Sequence, residues 1–239
     1  FTINSIYLNS DGKIYDPQLG VKDLRNKVVK FIGDPEQRIQ EDYLRIIRYI
    51  RFAIQYDSEI EDTIISTINL NINKVKKLSK ERILDELFKI LKLNNFHELT
   101  KKVKLNNIFM LIFPELKYIH RLNKFSDNFK SEKLKNELIL SILLIDETSN
   151  HEYFCHKYNI SNNLKEKLEL YFNSFNEIKK DINFFKTNLK NNCYQLGKIT
   201  MIDLNKLNFF LNKKMTFKEY FNIYSKINKT KIPTFPYDG

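Results

Sequence analysis

Between Asp34 and Phe52 the chain reads Asp-Pro-Glu-Gln-Arg-Ile-Gln-Glu-Asp-Tyr-Leu-Arg-Ile-Ile-Arg-Tyr-Ile-Arg-Phe, which sets an acidic pair, Glu41 and Asp42, at the head of three arginines, Arg45, Arg48 and Arg51. On a helix turning about 100° per residue, Asp42 and Arg45 fall roughly 60° apart, while Tyr43, Leu44, Ile47, Ile50 and Ile54 gather on the other side. A carboxylate beside a guanidinium offers an acceptor next to a donor. Cytosine and adenine show the complementary order on their pairing edges, whereas uracil and guanine show the reverse, so such a pair can accept C and A and refuse U and G. Arg48 and Arg51, one and two turns further on, have the fixed planar forks that suit the phosphates of a triphosphate. The competing reading is a solvated helix face with ordinary ion pairs three and four residues apart.

The elements that must position these groups follow from punctuation. Asp34 is placed to cap a helix, Pro35 suits its first position and Gln37 stands where a capping-box partner belongs, so the spacing predicts one helix carrying Glu41, Asp42 and all three arginines. Upstream, residues 1 to 9 alternate as a strand, Ser10-Asp11-Gly12-Lys13 reads as a hairpin turn, and Ile14 to Asp16 pairs back. A short helix over about 20 to 26 and a strand over Val28 to Ile32 follow. After Gly33 the chain is expected to be helical. Ser58 with Glu61 opens a second helix and Ser79 a third, with Ile83, Leu84, Leu87, Ile90 and Leu91 on its buried side; apolar periodicity continues to about residue 226. Pro114, the Asn-rich turn at 161 to 163 and Asn191-Asn192 mark expected breaks.

Forty basic against twenty-nine acidic residues give the 239-residue chain a formal charge of +11, which suits a partner with a phosphate backbone. A hydrophobic content of 42% excludes global disorder. The longest apolar run, Leu138 to Ile145, is far short of the roughly 20 residues that span a bilayer, so no membrane partner is expected. Cys155 and Cys193 stand alone, as buried thiols do in a reducing, cytoplasmic setting. His97, His120, His151 and His156 are scattered, with His151 and His156 lacking an acidic neighbour in ligand register, so no metal site is expected. The aromatic-basic run Tyr118 to Phe125 reads as core ahead of an RNA-stacking surface, and Lys74-Val75-Lys76-Lys77 as either a phosphate contact or a solvated loop.

Five segments in one order carry a resemblance: Phe1-Thr2-Ile3-Asn4-Ser5-Ile6; Asp16-Pro17-Gln18-Leu19-Gly20-Val21-Lys22-Asp23-Leu24; Phe31-Ile32-Gly33-Asp34-Pro35; Glu41-Asp42-Tyr43-Leu44-Arg45; and Ser79-Lys80-Glu81-Arg82-Ile83 with Glu86 and Lys89. Over about the first 95 residues the chain resembles the class II tRNA nucleotidyltransferases, the CCA-adding enzymes, and their relatives the bacterial poly(A) polymerases. The resemblance implies a mostly α fold: strands left from a nucleotidyltransferase head over 1–33, a helical neck over 34–95, and a helical, tRNA-binding body over 96–239. It implies that Asn4 helps to position the nucleotide sugar, that residues 16 to 24 link head to neck, that Asp42 and Arg45 select CTP and then ATP, that Arg48 and Arg51 bind nucleotide beyond them, and that the helix from Ser79 braces the neck. Magnesium, CTP, ATP and tRNA are the implied cofactor and partners.

The departures from the family pattern matter equally. The chain opens inside the family's Arg-Arg-Asp-Phe-Thr motif, and the Gly-rich loop and the metal-binding carboxylates that precede it are absent from these residues. No catalytic residue is therefore assigned, and the chain alone is expected not to catalyse; a separate chain carrying the head, a decayed gene product and a trimmed piece are the open explanations. Phe235-Pro236-Tyr237-Asp238-Gly239 ends on turn residues where the family continues. No His-Asp doublet indicates a phosphohydrolase domain. Poly(A) addition and a non-catalytic RNA-binding remnant are the alternative readings.

Overall fold

The computed structural model describes residues 1–125 and 134–232, which form two compact units, Phe1–Asn136 and Glu137–Gly239. The fold is mostly α, as the sequence reading expects. Among the described residues no helix is long and apolar enough to cross a membrane. Phe235 to Gly239 lies outside the described residues.

The N-terminal strand is shorter than expected. Residues 2 to 4 make a 3₁₀ turn, in which the Phe1 and Thr2 carbonyls accept from Asn4 and Ser5 at 3.1 and 3.0 Å. Only β1 (Tyr7–Leu8) and β2 (Ile14–Tyr15) pair, antiparallel, with Tyr7 opposite Tyr15 and Leu8 opposite Ile14. Their turn is tied by Asn9 Oδ1, which accepts from the amides of Asp11 and Lys13. Val28 to Ile32 is not a strand either: Val29 and Phe31 point inward and Lys30 outward, yet a single bond from the Thr2 amide to the Lys30 carbonyl replaces a ladder. Alternation recorded burial, whereas a strand also needs a partner along its length.

The first unit continues with α1 (Gly20–Arg25), α2 (Pro35–Glu41), α3 (Leu44–Gln55), α4 (Asp62–Asn71), α5 (Lys80–Leu91) and α6 (Val103–Ile112). Asp34 Oδ1 accepts from the Gln37 amide at 2.9 Å, so Gln37 serves the cap through its backbone. The one long helix expected from Pro35 is instead two. Asp42 is extended (φ −155°, ψ 105°), its Oδ1 accepts from the Leu44 amide at 3.1 Å, and its Oδ2 accepts from Arg82 on α5 at 2.9 Å. A short carboxylate that bonds a nearby amide gives the backbone an alternative to the helix, and here it ends α2 and starts α3. α4 starts after Glu61, because Ser58 is buried with its hydroxyl turned to the Glu59 carbonyl. Ser79 does cap α5.

α3 and α5 pack against each other, and Ile46, Ile47 and Ile50 of α3 and Leu87 and Ile90 of α5 are all fully buried. Phe1, Phe31 and Tyr49 form an aromatic wedge against α3, with Phe31 and Tyr49 stacked at 5.6 Å. Burial carries the Tyr49 hydroxyl pKa up to about 12, so it stays protonated within the core.

The second unit comprises α7 (Asn136–Leu144), α8 (Asn150–Tyr158), α9 (Asn162–Lys180), α10 (Leu189–Leu196), α11 (Lys198–Leu211) and α12 (Phe217–Lys229). α11 lies at its centre against α9, α10 and α12, and every residue from Asp203 to Phe210 is buried. Two of the polar ones are tied locally: Asp203 accepts from the Tyr171 hydroxyl at 3.1 Å, and Asn205 donates its amide N–H to the Tyr220 carbonyl at 3.0 Å, while Asn205 Oδ1 is buried without a hydrogen-bond partner among the described residues. Pro114 is a break, as expected, whereas the break expected at 161 to 163 falls at Asn159–Ser161, with Asn162 and Asn163 already helical. Asn191 and Asn192 are helical instead, with the Asn192 amide anchored on the Phe184 carbonyl. Thr216 and Glu219 form a reciprocal capping box on α12. Thr216→Ala should lower the stability of this unit by about 1 kcal/mol, read as a shift in its thermal unfolding midpoint.

Candidate functional site: a cationic cleft on the first unit

α3 places Arg45, Arg48 and Arg51 at successive turns, and its apolar face, pinned against α5, leaves them on the opposite side. There they line a cavity of about 290 Å³ together with Phe1, Asn4, Arg38, Phe52, Glu86 and Lys89. Four of the five residues singled out in the sequence, Asn4, Arg45, Arg48 and Arg51, thus meet in one cleft. Asp42 is not among the lining residues.

Asp42 and Arg45 also have separate partners. Asp42 is held by Arg82, while Arg45 pairs with Glu41 at 2.5 Å and donates to the Arg38 carbonyl at 2.6 Å. Glu41 takes Arg38 as well, at 2.6 Å. The hydrogen bond from Arg45, foremost, holds the Glu41 carboxyl below its ordinary pKa. These pairs are exposed and screened by solvent, so a ligand can exchange them cheaply.

The far end of the cleft is organised differently. The Glu86 side chain is 1% exposed, and it receives Arg51 Nε at 2.8 Å, Arg48 Nε at 3.3 Å and Lys89 Nζ at 3.1 Å. Burial alone would raise its pKa; the hydrogen bonds from Arg51 and Lys89 outweigh that and keep it below the usual range. The Arg51 guanidinium also lies over the Phe52 ring, 4.2 Å from its centroid. Both arginines use Nε for Glu86, and among the described residues their Nη groups have no protein partner.

Arg38, Glu86 and Lys89 are cleft residues to which the sequence reading gave no nucleotide role. Glu86 had a legible signal: at about 100° per residue it falls roughly 40° from Ile90, at the edge of the apolar stripe of its helix, where a carboxylate that becomes buried needs partners. Arg38 had one too: it stands seven residues before Arg45, about 20° from it on a helix turning 100° per residue, and so extends the arginine ladder by two turns.

One expectation outside the cleft is corrected. His151 does have an acidic partner: its Nε2 lies 3.1 Å from Glu169 Oε2 on the next helix, with Glu152 near enough to complete a group of possible ligands. Glu169 is eighteen residues away, beyond the range of any local spacing rule.

Within the cleft a divalent cation has no home. Its lining offers one carboxylate, Glu86, already committed to three cations, and magnesium needs oxygen ligands in near-octahedral array. Fold and cleft together define a mostly helical protein with a cationic groove matched to a polyanion.

Comparison with known proteins makes this specific. Residues 59–119 match the family model described as "Probable RNA and SrmB- binding site of polymerase A". The CCA-adding enzyme of Staphylococcus haemolyticus is 32% identical over 228 residues, covering 94% of this chain and 55% of that protein. The human mitochondrial CCA tRNA nucleotidyltransferase 1 is 43% identical over 101 residues, 41% of this chain and 23% of that protein. In fold, the chain is similar to the Bacillus stearothermophilus CCA-adding enzyme solved in complex with CTP, with a TM-score of 0.73 at 17% identity, covering 96% of this chain and 56% of that one. Over 94% of its length the chain is thus similar to a CCA-adding enzyme, a tRNA nucleotidyltransferase. It spans about half the length of the Staphylococcus relative and under a quarter of the human one.

Proposed function

We propose that this chain takes part in adding C, C and A to the 3′ end of tRNA from CTP and ATP, and that its share is nucleotide selection and RNA binding. The observation that carries this is the gathering of Asn4, Arg45, Arg48 and Arg51 on one cleft, with the unpartnered Nη groups of Arg48 and Arg51 facing a triphosphate-sized need for donors. Arg45, released from Glu41, and Asp42 supply the donor and acceptor that read the base. Exposed Lys74, Lys76 and Lys77, within the segment that matches the RNA-binding model, supply phosphate contacts. Phosphoryl transfer by this family draws on magnesium, and the cleft's one carboxylate does not supply its ligands.

Titration of the chain with the four nucleoside triphosphates by calorimetry tests this reading. CTP and ATP should bind more tightly than UTP and GTP, and Arg45→Ala should reduce that preference about tenfold, in keeping with roughly 1–3 kcal/mol for a bidentate base contact. Equal binding of all four by the unaltered chain would sink the template role. Asp42→Ala should act in the same direction, and full base preference in that variant would exclude Asp42 as the acceptor.

A further inference from the structure

The cleft contains one anion that no ligand-binding role requires. Glu86 stands behind the arginines, almost without solvent, and takes one Nε–H from each of two side chains that sit three residues apart on α3. A guanidinium held at Nε has its plane set by that bond, and the outer edge between its two Nη groups is left to face a second anion. Two guanidinium groups held by the two oxygens of one carboxylate, Arg51 on Oε2 and Arg48 on Oε1, have their mutual spacing and tilt set by that carboxylate. Lys89 shares Oε1, so the carboxylate stays compensated when Arg48, the more exposed arginine at 42%, shifts toward a ligand.

We infer that Glu86 is a positioning residue for a triphosphate subsite: it orients the Nη forks of Arg48 and Arg51 and so sets affinity for the phosphate chain rather than for the base. The inference deepens the nucleotide reading and rests on it only for the identity of the natural ligand, because the subsite chemistry is that of any linear triphosphate. Unscreened, Glu86 would repel such an anion; bonded to three cations it acts chiefly as a geometric restraint.

Three probes separate the possibilities: CTP, CMP and inorganic tripolyphosphate, each titrated calorimetrically against the chain and its variants, with thermal unfolding followed in parallel. Glu86→Gln keeps the shape and one acceptor oxygen but turns the other into an N–H donor facing Arg48 or Arg51. It should weaken CTP and tripolyphosphate about tenfold and leave CMP within twofold. Arg51→Lys keeps the charge, yet a single ammonium cannot hold Glu86 and a phosphate in one fixed plane; it should give the same pattern even if the Glu86 variant folds poorly. The double variant should be no more than about twofold weaker than either single one, since both break the same restraint. Equal losses for CTP and CMP, multiplied losses in the double variant, or triphosphate affinity indifferent to both changes would overturn the role of Glu86. Tripolyphosphate binding that depends on Glu86, alongside no preference for CTP over UTP, would uphold Glu86 and sink the nucleotide reading instead.

Discussion

Phe109→Ala should destabilise the first unit by about 3–5 kcal/mol and lower its unfolding midpoint by roughly 10–20 °C. Phe109 is fully buried on α6, with its ring 5.1 Å from Phe113 and 5.9 Å from Phe96, and both neighbours are themselves buried. Removing it deletes the transfer free energy of a whole ring and leaves a cavity. Phe96, in a 3₁₀ turn, and Phe113, just after α6, are both tethered and cannot collapse into it. Differential scanning calorimetry against Lys76→Ala gives the contrast: that exposed lysine has no partner among the described residues, and its variant should unfold within about 0.5 kcal/mol of the unaltered chain. If Phe109→Ala and Lys76→Ala unfolded alike, the core of this segment would lie elsewhere. The comparison also separates two ways of losing RNA affinity, since Lys76→Ala should weaken it with the fold intact and Phe109→Ala only through unfolding.

What the sequence discloses depends on how local the deciding contact is. The Asp34 cap, the Ser79 cap and the apolar stripe of α5 are settled within four residues, and each is found where the spacing predicts it. The end of α2 is decided by Asp42, whose carboxylate is drawn out of the helix by Arg82, forty residues later. No periodicity rule reaches that far. For the same reason the sequence pairs Asp42 with Arg45, its neighbour on an ideal helix, whereas the folded chain gives each another partner. The arginines were legible as a ladder because their spacing matches the helix repeat. The carboxylate that organises two of them was legible only as a polar residue at the edge of an apolar stripe.

Gly20→Ala should be the most damaging small change outside the helical core, lowering stability by about 2–3 kcal/mol and nucleotide affinity with it. A methyl group at position 20 would stand 2.3 Å from the Thr2 carbonyl oxygen and 2.8 Å from its carbon, so backbone has to move. Neither side yields easily. Gly20 and Val21 donate to the two oxygens of Asp16 at 2.8 Å each, which fixes the start of α1. Thr2 is held by its amide on the Lys30 carbonyl and by its hydroxyl on buried Asp23, and its carbonyl accepts from Ser5. Moving Thr2 shifts Phe1 and Asn4, which line the cleft on either side of it in sequence. Gly12→Ala is the matched control: nothing lies within 4 Å of the added methyl, and only the left-handed backbone (φ +74°) opposes it, at about 1 kcal/mol. Chemical denaturation with calorimetric CTP binding should therefore show Gly20→Ala weaker in both measures and Gly12→Ala weaker in stability alone. Equal CTP affinity in the two variants would mean that the Phe1–Asn4 turn is not part of the nucleotide site, and that the arginines of α3 hold the ligand without it.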